Sequence, residues 1–496
     1  MSQEKGGALD VEALRAMGFP LRSLVLDSRE VRPGSTFVAC PGTAMDGRQF
    51  IGQAVEKGAA AVLWESEGFA WNPTWTVPQQ PVQGLRKHLS NIAGQCYGHP
   101  SRHMQVVGVT GTNGKTSCSQ WMASLLTSAG RSCAVMGTLG NGFPGHLEPS
   151  LHTTSDAIQV QRDLARFLER GADTCIMEVS SHGLEQGRVD GVRFQGALFT
   201  NLSRDHLDYH GTLERYGAAK ARLFDFDDLE FAVLNHDDDF GRVLMERVAG
   251  RVPRVAGYGL DRTARAEVAT HWLGASEIRL SSAGMDFWLE GSWGRARVTT
   301  PLLGRFNLSN LLAVGAGALL AGMEFGDLCS AVEGLAPPPG RLERLGGMGR
   351  PVVVVDYAHT PDALEQVLKV LRELLPPAGR LVCVFGCGGD RDAGKRPLMG
   401  AVASRLADGV VVTSDNPRTE LPEVIMDQIA AGISGECLRV ADRNEAIRWA
   451  IEGATARDMV LVAGKGHETY QDVQGRKQPF DDRLVAQYWL ERWGKA

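Results

Sequence analysis

Gly108-Val109-Thr110-Gly111-Thr112-Asn113-Gly114-Lys115-Thr116 follows the apolar run that starts at Met104 and precedes a helix-like stretch, Cys118 to Ala129. Strand, Gly-rich turn and helix in that order make a phosphate-binding loop. Backbone N–H groups and the helix N-terminus cradle phosphates, Lys115 reaches the outer ones, and Thr116 is placed to ligate Mg²⁺. Gly111, Thr112, Asn113, Gly114 and Ser117 complete the candidate ATP loop. Val109 stands where the strict pattern has Gly, so the loop is a variant. The alternative is a Gly-rich turn that binds nothing, and the strand–turn–helix setting argues against it.

Working outward, 496 residues exceed one ordinary core and suggest about three domains. The expected boundaries are 1–102, 103–338 and 339–496, with Gly98–Arg102 as a linker and Pro337–Gly340 as the strongest punctuation. The first segment reads as a small α/β domain, with strands near 23–26, 35–39 and 60–64 and a helix over 50–58. The second alternates strands and helices. Its residues 251–300 switch to short Trp-bearing alternations, read as an antiparallel sheet appended to a mononucleotide-binding domain. In the third, Val352–Asp356, Leu381–Phe385, Val410–Thr413 and Met459–Ala463 are near-continuous apolar strands with helical crossovers, such as the one carrying Leu364, Val367, Leu368 and Leu371. That pattern implies a parallel sheet covered on both faces, a doubly wound Rossmann-like domain. The fold class is α/β throughout.

A net charge of −6 sets up no global field for polyanions, which disfavours nucleic acid and leaves a phosphorylated substrate to local groups. The first residues lack the basic and apolar regions of a signal peptide, and no apolar run is long enough to span a bilayer. Nine cysteines without a CxxC fit a reducing cytoplasm. A cytoplasmic monomer is expected.

Chemistry-bearing residues cluster at strand ends. Glu178 closes the apolar run Thr174–Met177, where an acidic residue holds the nucleotide's metal in phosphate-loop enzymes; a solvent-facing carboxylate is the alternative. His206 reads as a metal or phosphate contact or as an ordinary loop residue, and Lys220 reads as a surface lysine. In the third segment, charged or Gly-rich loops leave four strands: Asp356–Asp362, Gly386–Asp392, Asp415-Asn416-Pro417-Arg418 and Gly464–Glu468. An acid, an amide and a guanidinium in Asp415–Arg418 suit a zwitterion, although Asn-Pro is also common turn punctuation. Four such loops on one sheet edge favour a pocket.

These motifs, in this order and over nearly the whole chain, resemble the Mur ligases, ATP-dependent enzymes that form amide bonds in peptidoglycan precursors. The most specific stretches are Thr110–Thr116, Glu178–Leu184, Asn201–His210, Asp356–Asp362 and Gly386–Gly400. The resemblance implies that Ser28 and the Thr43-Ala44-Met45 stretch bind the uridine diphosphate. It places Thr153, Thr154, Ser180, Gln186 and Arg188 on the muramoyl-dipeptide. It assigns Mg²⁺ to Thr116, Glu178, His206 and a carbamylated Lys220. Asn307 and Asn310 would meet adenine and Arg341 and Asp356 the phosphate side, with Lys115, Glu178, His206, Lys220, Asp356 and His359 as the catalytic residues. Arg391, Asp415, Asn416, Pro417, Arg418, Gly464 and Glu468 would hold the incoming amino acid. Ser155 departs from the Pro common in relatives. The version Asp-Asn-Pro-Arg resembles that of enzymes that add meso-diaminopimelate, which is lysine with a second carboxylate for an Arg to bind.

The implied reaction joins meso-2,6-diaminopimelate to the D-glutamyl residue of UDP-N-acetylmuramoyl-L-alanyl-D-glutamate through an acyl-phosphate. Substrates split over three domains imply closure before chemistry. Alternatives are lysine addition, a folylpolyglutamate-synthetase-like ligase, or a nucleotide-binding switch without catalysis.

Overall fold

The structure, a computed structural model, describes residues 9–42, 45–260, 269–281 and 283–494. Three sheets follow one another along the chain. The first is four-stranded and parallel, with Ser23–Val25, Ser35–Ala39, Ala61–Glu65 and Gln79–Val82 in sequential order. Helix Leu85–Cys96 covers it and also packs on helix Ala157–Glu169 of the next segment. The stretch expected as a linker is anchored: Pro100 and Ser101 are buried, and Ser101 Oγ accepts from Arg193 N at 2.9 Å.

The second sheet has eleven strands, and Gln105–Thr110 lies inside it between Gly196–Phe199 and Thr174–Glu178, parallel to both. Registers Val109↔Glu178 and Phe199↔Thr110 align their carboxyl ends. The loops that leave those strands therefore open on one edge, where open α/β sheets bind ligands. The appended antiparallel sheet is present as His271–Ser281, Gly284–Gly291 and Gly294–Thr300, but Arg254–Gly259 differs from the expectation: it pairs parallel with Phe231–Asn235 and with His271–Ser281, and so fuses that unit to the central sheet. Short alternating strands carry no signal for their partner, so sheet membership was decided by tertiary pairing. Helix Lys115–Ser128 packs on helix Arg305–Leu320, and their side chains Trp121, Met122, Leu308 and Leu312 share one buried core.

The third sheet has the order 343–346, 352–356, 459–463, 381–385, 409–413, 438–440. Its four apolar strands are adjacent and parallel, with Asp356 and Phe385 both paired to Ala463. Their Val side chains fill cores on both faces, as a doubly covered sheet requires. Two edge strands, Glu343–Gly346 and Leu438–Val440, and a hairpin over 470–479 are additional to the sequence reading. No helix among the described residues is long and apolar enough to cross a membrane.

Candidate active site

The nucleotide loop is built from the strand upward. Gly114 caps helix Lys115–Ser128 at φ +87, and a Cβ there would sit 2.5 Å from Asn310 Oδ1, so glycine is required on both counts. The helix therefore starts three residues before the stretch read from sequence. Lys115 Nζ donates to Gly111 O at 2.8 Å and Thr112 O at 2.7 Å, and withdrawal from water lowers its pKa. Thr200 Oγ1 and Asn201 Nδ2 donate to Asn113 O at 2.6 and 3.1 Å, which pins the loop to the neighbouring strand end.

Glu178 is fully buried, and burial raises its pKa. Its carboxylate accepts from Thr116 Oγ1 at 3.1 Å, Thr138 N at 2.9 Å and Thr138 Oγ1 at 3.2 Å. Thr138 was not anticipated; a lone Thr after a strand has no distinguishing signal. Thr138 Oγ1 also pairs with Thr153 Oγ1 at 3.1 Å. Thr154 Oγ1 donates to Glu178 O and accepts from Ser180 N, both at 2.9 Å. Arg188 Nη1 donates to Thr154 O at 2.6 Å and its Nη2 to Gln186 Oε1 at 2.7 Å. Thr153, Thr154, Ser180, Gln186 and Arg188 thus form one cluster beside Glu178. Ser28 lies apart in the first domain, where its Oγ donates to Gln53 Oε1 at 2.7 Å. Met45 is exposed nearby in sequence, and Thr43 and Ala44 lie outside the described residues.

Lys220 is buried, not the surface lysine its sequence context suggests. Its Nζ donates to Gly111 O at 2.7 Å, the same carbonyl that Lys115 uses, and lies 4.3 Å from the Tyr216 ring centroid. Burial, and then the charge of Lys115, push its pKa well below the ordinary lysine value. His206, at φ +52, is half exposed; its Nε2 is 3.3 Å from Asp205 Oδ2 and its ring stands 5.0 Å from that of His182. Among the described residues no three His, Cys, Asp or Glu side chains converge on a metal-sized centre. What stands together is an oxygen pair, the Thr116 hydroxyl and the Glu178 carboxylate. Hard oxygen donors fit magnesium.

The third domain reaches this edge at two points. Arg341 Nη2 donates to Thr116 Oγ1 at 3.4 Å, with its guanidinium 4.6 Å from the Tyr357 ring centroid. Asp362 Oδ2 accepts from Asn113 Nδ2 at 3.3 Å and Ser203 Oγ at 3.2 Å. Asp356 accepts from Leu342 N and Ala358 N at 2.7 and 2.8 Å, so it acts on Arg341 by holding the adjacent backbone. His359 is exposed, with Nδ1 2.8 Å from Tyr357 O. A cavity of about 390 Å³ runs along the interdomain linker, lined by Leu303, Asn307, Pro337, Pro339, Leu342 and Arg344. That volume suits one small ligand. Asn307 Nδ2 donates to Leu303 O at 2.9 Å within it.

On the sheet edge of the third domain, Asp415, Asn416 and Pro417 are buried and Arg418 adopts φ +49, the left-handed region that residues other than glycine rarely enter. Asn416 Nδ2 donates to Glu468 Oε2 at 2.8 Å, and Lys465 Nζ donates to both Asn416 Oδ1 (3.0 Å) and Glu468 Oε2 (2.9 Å). Gly464 sits at φ +114, where a Cβ would come within 2.5 Å of Asp415 Oδ2. Arg418 Nη1 donates to Gly389 O at 2.7 Å, and its N donates to Asp472 O at 2.9 Å. Arg391 follows on the exposed rim. Asp415, Asn416, Arg418, Gly464 and Glu468 are therefore brought together, with Lys465 and the 470–479 hairpin as unforeseen walls.

Known proteins match the whole arrangement. Residues 20–97 match the model of the Mur ligase family, catalytic domain; residues 109–318 the Mur ligase middle domain; and residues 340–466 the Mur ligase, glutamate ligase domain. A UDP-N-acetylmuramoyl-L-alanyl-D-glutamate–2,6-diaminopimelate ligase of Chromobacterium violaceum is 48% identical over 488 residues, covering 98% of this chain and 97% of its own. The protein of that name from Pseudomonas aeruginosa is 50% identical, over 95% and 96% of the two chains. A solved structure of a ligase so named superposes with a TM-score of 0.67 at 40% identity, over 95% and 94% of the chains. A folylpolyglutamate synthase of Mycobacterium tuberculosis, at 19% identity and TM-score 0.60, shares the fold over 75% of this chain. With three family models in order along it and relatives about half identical over almost all of its length, this chain belongs to the Mur ligase family.

Proposed function

We propose that this enzyme is an ATP-dependent ligase that joins meso-2,6-diaminopimelate to the D-glutamyl residue of UDP-N-acetylmuramoyl-L-alanyl-D-glutamate. The observation that carries this is the juxtaposition of a phosphate loop with a pocket offering an acid, an amide and a guanidinium, joined through Arg341 and Thr116. Relatives about half identical are named for that reaction. A carboxylate is a poor acylating agent. Lys115 and Arg341 orient the γ-phosphate for attack by the D-glutamyl carboxylate; ADP leaves and an acyl-phosphate forms. Asp415 and Glu468 hold an ammonium of diaminopimelate and Arg418 its distal carboxylate, and the reacting amine then attacks the acyl carbon. Phosphate departs and takes up the proton that the nitrogen sheds. Positioning and charge neutralisation supply the catalysis.

Thr116 and Glu178 would hold Mg²⁺, with His206 and a carbamate on Lys220 as further ligands, and the ion would neutralise phosphate charge. The lowered pKa of Lys220 supports the carbamate, because a neutral amine is the form that adds CO₂. Asn307 and Asn310 belong to the adenine side, and Ser28 to the uridine diphosphate. None of the nine cysteines forms a disulfide, which favours a reducing cytoplasm. We read the enzyme as a monomer whose domains close on their substrates.

ADP release, measured with diaminopimelate and with lysine, tests the reading. Wild type should strongly prefer diaminopimelate, and Arg418→Ala should lower kcat/KM for diaminopimelate about 100-fold, since it leaves a carboxylate without its partner. Faster turnover with lysine, or a mutant with full selectivity, would sink the assignment.

A further inference from the structure

Behind the amino-acid pocket lies a fully buried guanidinium that the reaction does not touch. Arg396 Nη1 and Nη2 each donate to a Glu420 oxygen at 2.8 Å, in the forked geometry that fixes both partners in orientation. The same guanidinium donates from Nη1 to Gln428 Oε1 at 2.6 Å and from Nη2 to Gly388 O at 3.0 Å. Glu420 Oε1 in turn accepts from Asp390 N at 2.5 Å, and the Asp390 carboxylate accepts from Thr419 Oγ1 at 2.7 Å. One ion pair therefore ties the loop that ends in Arg391 to the loop that carries Arg418.

The geometry of the tied loops is not the relaxed one. Asp390 and Arg418 both occupy the left-handed region, at φ +52 and +49, which non-Gly residues avoid unless their surroundings enforce it. Gly389 N donates to Asn416 O at 2.9 Å and Gly389 O receives the Arg418 guanidinium, so the two loops run in direct contact. Arg396 is buried while Glu420 is 30% exposed, so the pair is a weak source of stability, but its fork fixes the geometry of both loops. The Arg396 guanidinium and the Asp390 N–H hold the Glu420 pKa down to about 2, so the pair is charged throughout the working range.

We propose that the Arg396–Glu420 pair is the positioning unit of amino-acid selection: it sets the backbone from which Arg391 and Arg418 reach the substrate's second carboxylate. This rests on the diaminopimelate reading above. Arg396 touches no substrate, so the test separates positioning from general damage. Arg396→Lys keeps the charge and loses the fork, and Glu420→Gln keeps the shape and loses the charge. Steady-state KM values for diaminopimelate, ATP and the UDP-muramoyl-dipeptide are measured for both, along with kcat/KM for diaminopimelate relative to lysine. The expected result is a rise of about tenfold or more in the diaminopimelate KM and a fall of about tenfold in selectivity, with the ATP KM within about twofold of wild type.

Unchanged diaminopimelate KM and selectivity would overturn the proposal, as would an equal rise in all three KM values. Thr419→Val covers the case in which both variants fold poorly, because it removes one hydrogen bond to Asp390 on the exposed side. It should raise the diaminopimelate KM alone by about threefold, and no change there would also overturn the proposal. Wild type that does not use diaminopimelate would instead sink the reading of the reaction.

Discussion

The phosphate loop and the amino-acid pocket both sit at the carboxyl ends of parallel strands in two mixed sheets, yet they are built in opposite ways. Residues 111–116 form a site from one continuous strand–turn–helix, and the neighbours mainly steady it. The pocket takes single residues from loops after three strands and a hairpin, and two buried guanidiniums hold those loops in place. A contiguous site carries its geometry in local backbone. A convergent site depends on contacts made far apart in sequence, so damage behind it should matter as much as damage inside it.

The largest effect expected from this difference falls on a residue that touches no substrate. Arg443 and Asp482 are both fully buried, and Arg443 also donates to Ser414 O at 3.3 Å and Ala463 O at 2.9 Å, the strand ends that carry Asp415 and Gly464. Arg443→Met leaves the Asp482 charge buried and alone. Urea unfolding should show a loss of about 3–5 kcal/mol, most of it recovered by adding Asp482→Leu. A loss under about 1 kcal/mol would mean that the pocket does not depend on its supports.

Lys115→Ala probes the contiguous site and should cost about 10²–10³ in kcat, equally with every amino acid offered, with little change in stability. Amino-acid-dependent loss would break the division between the two sites. Calorimetric binding of an ATP analogue would show whether the loss lies in binding or in turnover.

The smallest effect concerns pH. Glu420 has its pKa lowered to about 2 from an ordinary 4.5. A depressed carboxyl contributes stability that is present above its unfolded value and lost as pH falls through the folded one. Glu420→Gln should therefore melt below wild type at neutral pH, and the gap in Tm should close between about pH 4.5 and pH 2. A gap that stays constant over that window would show that the ion pair adds nothing to the fold.

Legibility follows the same division. Lys115 and Thr116 were readable because strand, glycines and helix lie within a dozen residues, and the strand-end position of Glu178 because it closes the apolar run Thr174–Met177. The four charged loops of the third domain could be assigned to one edge because Val-rich strands with helical crossovers imply a parallel sheet. The roles of Ser28, Asn307, Asn310 and the cluster around Arg188 came from family resemblance, not from the physics of those residues. Lys220 shows the limit: on a helix with Gly and Ala neighbours it looks solvated, and only packing against Tyr216 and the Gly111 carbonyl buries it.

Other features had no readable signal. Arg396 and Glu420 are 24 residues apart, Arg443 and Asp482 are 39 apart, and in sequence each resembles an ordinary surface charge. The strands of 271–300 were visible as an appended antiparallel unit, but the parallel pairing of Arg254–Gly259 that fuses it to the central sheet was not, because alternation specifies a buried face and not a partner.

The amino-acid sequence by itself determined the nucleotide loop, the parallel character of the third sheet and which edge carries the chemistry. These follow from backbone geometry and periodicity that a short segment holds on its own. Only the tertiary structure decided where Lys220 lies, which strands extend the central sheet, and how two buried guanidiniums lock the loops of the amino-acid pocket. The reason is physical: a charge becomes a fixed element of a site only once other segments exclude water around it.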